Sequence, residues 1–183
     1  MLQTSEAVKD LVFCGGVHGV GKTTLCQALA DQIHAVHVSA GSLLQMAGLV
    51  RPSQYAVIDP QENQAYIQAA LREYRRQHRG VRIILDGHFC LLTPHRRIEA
   101  IPVALFNALR ASALLIVVDD PSTILKRLVG RDGTGLDEVF VDRFQRREAA
   151  RARAISRHLG VPLRTIRPSV PLADVAEWIL DLA

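Results

Sequence analysis

No apolar run in this 183-residue chain approaches the roughly 20 residues that cross a membrane as a helix. The opening stretch, Met1-Leu2-Gln3-Thr4-Ser5-Glu6, lacks the basic-then-apolar order of a secretory leader. Cysteine is scarce. Cys14, Cys26 and Cys90 are odd in number and have no ligand-type spacing, which argues against a disulfide framework and a cysteine metal site. Cys14 and Cys26 fall inside a predicted strand and a predicted helix and read as small core residues. Aromatic residues make up only 5% of the chain, little material for stacking nucleic-acid bases. The net charge of +4 suits a phosphate-handling site as well as it suits nucleic acid, so a nucleic-acid partner stays open as the lesser expectation. No repeat, linker or low-complexity stretch divides the sequence. One domain over residues 1–183 is expected, in a reducing, cytoplasmic setting, away from membranes and with small-molecule partners. Oligomeric state is left open.

What the chain does contain is Gly16-Val17-His18-Gly19-Val20-Gly21-Lys22-Thr23, directly after the apolar run at 11–14. Glycine, four residues and then Gly-Lys-Thr is the P-loop pattern, and the strand before it and helix after it are the context that pattern requires. Glycines at 16, 19 and 21 let the backbone turn left-handed and approach a polyphosphate. The N–H groups of residues such as His18, Val20 and Thr24 are then available to phosphate oxygens at the positive end of a helix. Lys22 reaches the β- and γ-phosphates, and the Thr23 hydroxyl is a magnesium ligand. This stretch predicts binding of a nucleoside triphosphate, with ATP and Mg2+ as the expected cofactors.

The remaining pattern alternates strand and helix. Buried-type strands are predicted at 11–14, 36–38, 81–85, 113–118 and 162–166. Helices are predicted from 23 to 33, from Ser42 as N-cap to about 47, from Asp59-Pro60 to Arg79, over 121–129, over 137–158 and over 172–182. Such alternation implies a parallel sheet with helices on both faces. His34 and His37 have no carboxylate or cysteine near them in sequence and read as surface or satisfied histidines. The basic run from Arg72 to Arg79 reads as a solvated helix face.

In open α/β sheets ligands bind at the carboxyl ends of strands, where Asp86 follows Ile83-Ile84-Leu85. An acid there, beside Thr23, can hold magnesium; the bland alternative is a turn cap before Gly87. His88 either orients a water or acceptor oxygen or supports the loop. Arg127, Arg131 and Arg143 stand downstream as charge-neutralising groups, with Arg131 on the glycine-containing loop 131–135. Asp137 is expected to cap the next helix. On that helix Arg146, Arg147, Arg151 and Arg153 are assigned to the solvated face; the bland alternative to a functional role for the arginines is surface salt bridging with Asp132, Asp142 and Glu148.

In this order the segments resemble the nucleoside monophosphate kinases, and within them the compact archaeal-type and nuclear-type adenylate kinases. Ser39-Ala40-Gly41-Ser42-Leu43-Leu44 is similar to the Ser-Thr-Gly-Asp-Met/Leu-Leu segment that opens the family's monophosphate-binding helix. Asp86-Gly87-His88, Thr93-Pro94 and Pro102 resemble the Asp-Thr-His, Thr-Pro and Pro positions of the archaeal-type enzymes. The resemblance implies a three-layer α/β/α fold with a five-stranded parallel sheet in the order 2-3-1-4-5. It also implies a monophosphate-binding region near 39–79, a short lid near 127–139, and transfer of the ATP γ-phosphoryl group to a nucleoside monophosphate. It makes Ser39, Gly41, Gln45, His88 and Arg96 the expected substrate-side residues. The chain departs from the family at Gln45, where many adenylate kinases carry an arginine that would hold an acceptor phosphate. Arg51, Arg96 and Arg97 are the cations placed to replace it. Two alternatives remain: a P-loop kinase for another acceptor (a small metabolite or nucleic-acid end), and a nucleotide-binding switch.

Overall fold

The computed structural model describes residues 11–46, 60–93, 95–132 and 135–182. The elements run β1 (Leu11–Gly15), α1 (Lys22–Gln32), β2 (Val36–Ser39), α2 (Ala40–Met46), α3 (Pro60–Gln77) and β3 (Ile83–Asp86). They continue with β4 (Cys90–Leu92), β5 (Ile98–Ala100), α4 (Val103–Leu109), β6 (Ala113–Val117), α5 (Pro121–Asp132), α6 (Glu138–Leu159), β7 (Leu163–Ile166) and α7 (Leu172–Leu180). The main sheet is parallel throughout, in the order β2-β3-β1-β6-β7. Counted over its own five strands, this is the expected 2-3-1-4-5.

Every residue of β1 and β6 is buried, which is why both read as unbroken apolar runs rather than alternating ones. Successive side chains still leave on opposite faces. Val12, Cys14, Leu115 and Val117 pack in one layer with α1 and α7. Leu11, Phe13, Leu114 and Ile116 pack in the other with α3 and α4. Phe13 meets Phe89 and Phe106 edge-on, at centroid distances of 5.0 and 5.3 Å. Helix α6 serves both layers: Val141 and Phe144 belong to the first, Ala152 and Ile155 to the second.

Several local expectations change. The pair β4–β5 is a separate antiparallel ladder with Cys90 opposite Ala100, and it was not foreseen because three-residue strands carry almost no periodicity. Helix α4 was not foreseen either. The cap of α2 is Ser39, not Ser42: its Oγ accepts the Ser42 N–H at 2.9 Å, one turn earlier than the apolar pattern suggests. Helix α5 continues through Arg131 to Asp132, so the loop expected from 131 begins later. Asp137 does cap α6, accepting the Phe140 N–H at 2.7 Å. Asp59 and Arg51 lie outside the described residues.

Strand register builds the site. Cys14 of β1 and Ser39 of β2 are both paired with Asp86 of β3, and Gly15 with Ile116 of β6. The acid, the start of the glycine loop and the start of α2 therefore lie level along one edge, the carboxyl edge of a parallel sheet, where ligands bind.

Candidate active site

The loop between β1 and α1 is shaped by its glycines. Gly21 is left-handed (φ 95°) and caps α1, and Gly19 is left-handed at φ 77°. A Cβ on Gly19 would lie 2.8 Å from Leu128 Cγ, so strain and space both require glycine there. Above the loop lies a cavity of about 260 Å³. His18, Gly19, Gly21, Lys22, Thr23, Thr24, Arg127 and Leu128 line it. Gly16 and Val20 belong to the same turn, and Val20 is fully buried beneath it.

Lys22 is a buried cation, 7% exposed, and its Nζ is 3.9 Å from Asp86 Oδ1. The Thr23 hydroxyl donates to Asp86 Oδ2 at 2.7 Å. Asp86, at the end of β3, is itself 4% exposed. Burial alone would raise its carboxyl pKa; the His37 hydrogen bond, the Lys22 charge and the Thr23 hydroxyl together outweigh burial and hold it below the usual range. Asp86 is thus an anion at neutral pH. Hydroxyl and carboxylate oxygens side by side form a hard donor set that suits magnesium. No group of three or more His, Cys, Asp or Glu that could hold a metal occurs among the described residues, so any metal here would depend on Thr23, Asp86, phosphate oxygens and water.

His37, read from the sequence as a surface or satisfied histidine, is a satisfied one whose partner is the site acid: its Nε2 lies 3.4 Å from Asp86 Oδ2 and its Nδ1 3.2 Å from Gln27 Oε1. Strands β2 and β3 are adjacent although 43 residues lie between Ser39 and Ile83, so no local pattern could reveal the contact.

His88 follows Asp86 by two residues, and its ring lies 4.2 Å from that of His18 in the glycine loop. Its Nδ1 is buried without a hydrogen-bond partner, 3.4 Å from Glu148 Oε1. Burial, reinforced by the Lys22 charge against the pull of Asp86, lowers its pKa to about 3, so the imidazole is neutral. Glu148, which entered the sequence reading only as a surface salt-bridge partner in the bland alternative, is 1% exposed. It accepts the backbone N–H groups of Phe89 (2.9 Å) and Cys90 (3.3 Å). Its pKa is raised to about 7, chiefly by burial, which those two amides only partly offset.

The arginines separate. One Arg127 nitrogen, Nη1, donates to the carbonyls of Gly19 (3.3 Å) and Val20 (3.1 Å) and to Asp119 Oδ2 at 3.0 Å. It is therefore brought to the loop. Arg143 is exposed, with its guanidinium over the Phe140 ring at 5.0 Å. Arg131 falls in the last turn of α5, and its side chain lies outside the described set. Arg146 is solvated and paired with Asp142 at 2.9 Å, as expected. Arg151 is not: its Nε and Nη2 both donate to the Ile101 carbonyl, at 3.1 and 2.5 Å.

Of the residues expected on the substrate side, Ser39 has its Oγ 2.7 Å from Ser42 Oγ, occupied with capping α2. Gly41 lies in the first turn of that helix, and Gln45 is exposed in its last turn. Arg96, left-handed at φ 56° in the β4–β5 turn, donates from Nη1 to the Gly135 carbonyl at 2.8 Å. It ties that turn to the segment before α6.

A five-stranded parallel sheet, a glycine loop opening a helix and a strand-end acid at the loop's lysine and threonine define a P-loop fold of the kinase kind. The chain belongs to the AAA domain family, whose profile matches residues 15–145. It is 28% identical over 138 residues to the adenylate kinase of Thermoplasma acidophilum, spanning 69% of this chain and 70% of that enzyme. Among solved structures it resembles a shikimate kinase from Acinetobacter baumannii in complex with shikimate, with a TM-score of 0.58 and 16% identity over 94% of this chain and 92% of that one. It also resembles a gluconokinase from Sinorhizobium meliloti 1021, with a TM-score of 0.50 and 14% identity over 95% and 91%. Both likenesses concern the fold. The family match makes the chain a P-loop protein of the AAA domain family. No helix among the described residues is long and apolar enough to cross a membrane.

Proposed function

We propose that this protein transfers the γ-phosphoryl group of Mg-ATP to a nucleoside monophosphate. The observation that carries the reading is the contact of Asp86 with both loop residues, Thr23 at 2.7 Å and Lys22 at 3.9 Å. A lysine and an oxygen-donor pair at the mouth of a glycine loop are what polyphosphate chemistry requires. The similarity to an adenylate kinase supports the acceptor class.

In this reading the backbone N–H groups of 16–24 and Lys22 hold the triphosphate. Thr23 and Asp86 would hold magnesium, which would supply charge to offset that of the phosphates. An acceptor phosphate oxygen attacks the γ-phosphorus, the bond to the β-phosphate oxygen breaks, and ADP leaves. Arg127, Arg131 and Arg143 neutralise charge on the moving group. Neutral His88 orients the acceptor oxygen, and Ser39, Gly41, Gln45 and Arg96 line the acceptor side. Exclusion of water favours transfer over hydrolysis. The exposed, uncharged Gln45 favours a second reading, in which the acceptor is a small metabolite without a phosphate.

The test is ADP release from Mg-ATP with AMP, the other monophosphates and a set of hydroxylated metabolites, product by product. A monophosphate-dependent rate with the corresponding diphosphate as product supports the first reading. A phosphorylated metabolite in its place supports the second, and acceptor-independent turnover alone supports a nucleotide switch.

A further inference from the structure

We infer that one side of α6 is a positioning rail for the loops around the glycine loop, and that Glu148 is a positioning residue of the phosphotransfer site. The inference rests on the kinase reading above. Gln145, Glu148 and Arg151 follow one another at intervals of three and stand along one side of the helix. Each ties down the backbone of a different loop. Gln145 clamps Asp119 after β6, accepting its N–H at 2.9 Å and donating to its carbonyl at 2.8 Å. Glu148 takes the N–H groups of Phe89 and Cys90 after β3. Arg151 takes the Ile101 carbonyl after β5.

Two of these ties lead to the glycine loop. Asp119 holds Arg127, whose Nη1 reaches the carbonyls of Gly19 and Val20. Phe89 adjoins His88, whose ring lies against His18. The chain turns between Asp86 and Cys90 from the sheet into the hairpin, and Glu148 supplies the acceptors for two successive amides of that turn. Burying a carboxylate carries a desolvation penalty that leucine would avoid, so packing does not account for it. Binding two amide donors does.

Glu148→Gln keeps the shape but offers one acceptor in place of two. We expect turnover of Mg-ATP with AMP as probe acceptor to fall about tenfold to a hundredfold, the scale of a small misplacement near the chemistry. KM for ATP should stay within about twofold, since Lys22 and the loop glycines are untouched, and kcat should take the loss. Amide hydrogen exchange at Phe89 and Cys90 should rise about twofold to tenfold, the factor that follows from losing one ordinary hydrogen bond. Glu148→Ala should reproduce both effects, and Arg146→Gln, two residues away on the solvated face, neither.

Wild-type kcat in Glu148→Gln, or a loss of rate that only tracks loss of folded protein, would overturn the positioning role. Unchanged exchange at Phe89 and Cys90 would overturn the pinning. A wild-type protein that releases ADP from Mg-ATP only without regard to AMP would sink the acceptor reading, while the Glu148→Gln rate on that reaction still decides the positioning role. A wild-type protein without turnover would overturn the kinetic claim, and exchange would still decide the pinning.

Discussion

The donor and acceptor halves of the proposed site are built differently. On the donor side, Lys22 and Asp86 are buried, bound to each other or to Thr23, and set by strand register. On the acceptor side, Gln45 is exposed, Ser39 is engaged in capping its own helix, and Arg96 is tied across to Gly135. In the proposed reading, triphosphate recognition would use mainly backbone and one strand end, while acceptor recognition would rely on side chains from several surface segments. This explains why a P-loop fold can retain one donor while its acceptors vary.

The largest test of this contrast is Lys22→Met, which should lower kcat by about a hundredfold to a thousandfold, the scale for removing one preorganised charge-stabilising group. Steady-state rates with saturating ATP check it. Comparable loss from an acceptor-side substitution such as Gln45→Ala would erase the distinction.

Next is the loop's geometry. Gly19→Ala places a Cβ against Leu128 at φ 77° and should weaken Mg-ATP binding about fivefold to thirtyfold, from left-handed strain of roughly 1–2 kcal/mol. Calorimetric titration with ATP measures it. Adding Leu128→Ala should recover only part of the loss, since space is restored and strain is not.

Glu148 gives a pH signature. Its pKa is raised from 4.5 to about 7 on folding, so the folded protein holds a proton there that the unfolded chain has released. The stability it contributes is present below about pH 4.5 and is lost as pH rises through about 7. Glu148→Gln should therefore gain on wild type between pH 5 and pH 8, by up to about 3 kcal/mol. Denaturant unfolding at the two pH values reads the difference, and a difference that is constant with pH would contradict it.

The smallest effect is expected from Gln45→Arg. A solvent-exposed cation contributes about 0.2–1 kcal/mol, so AMP should bind up to about fivefold more tightly. A shift of tenfold or more would mean that this position faces a desolvated acceptor phosphate, and the acceptor half would then resemble the donor half.

The donor loop was legible in the sequence because all its parts lie within eight residues, Gly16 to Thr23, and the apolar runs beside it gave the strand and helix it needs. Asp86 was legible because a buried-type strand ending in an acid has a defined place at the sheet edge. The same local logic yielded the parallel sheet, while its order came by resemblance. The hairpin escaped it, its strands being three residues each.

Other features were decided only when the chain folded. Glu148 stands among arginines on an amphipathic helix and has a solvent-facing sequence context, yet α6 turns it inward onto two amides that no neighbouring residue announces. His37 reaches Asp86 only because β2 lies beside β3. Hydrophobic period and loop motifs act over a few residues and can be read there. Which way a long helix rotates, and which strand ends lie side by side, depend on packing the whole sheet, and those choices joined Glu148 and His37 to the site.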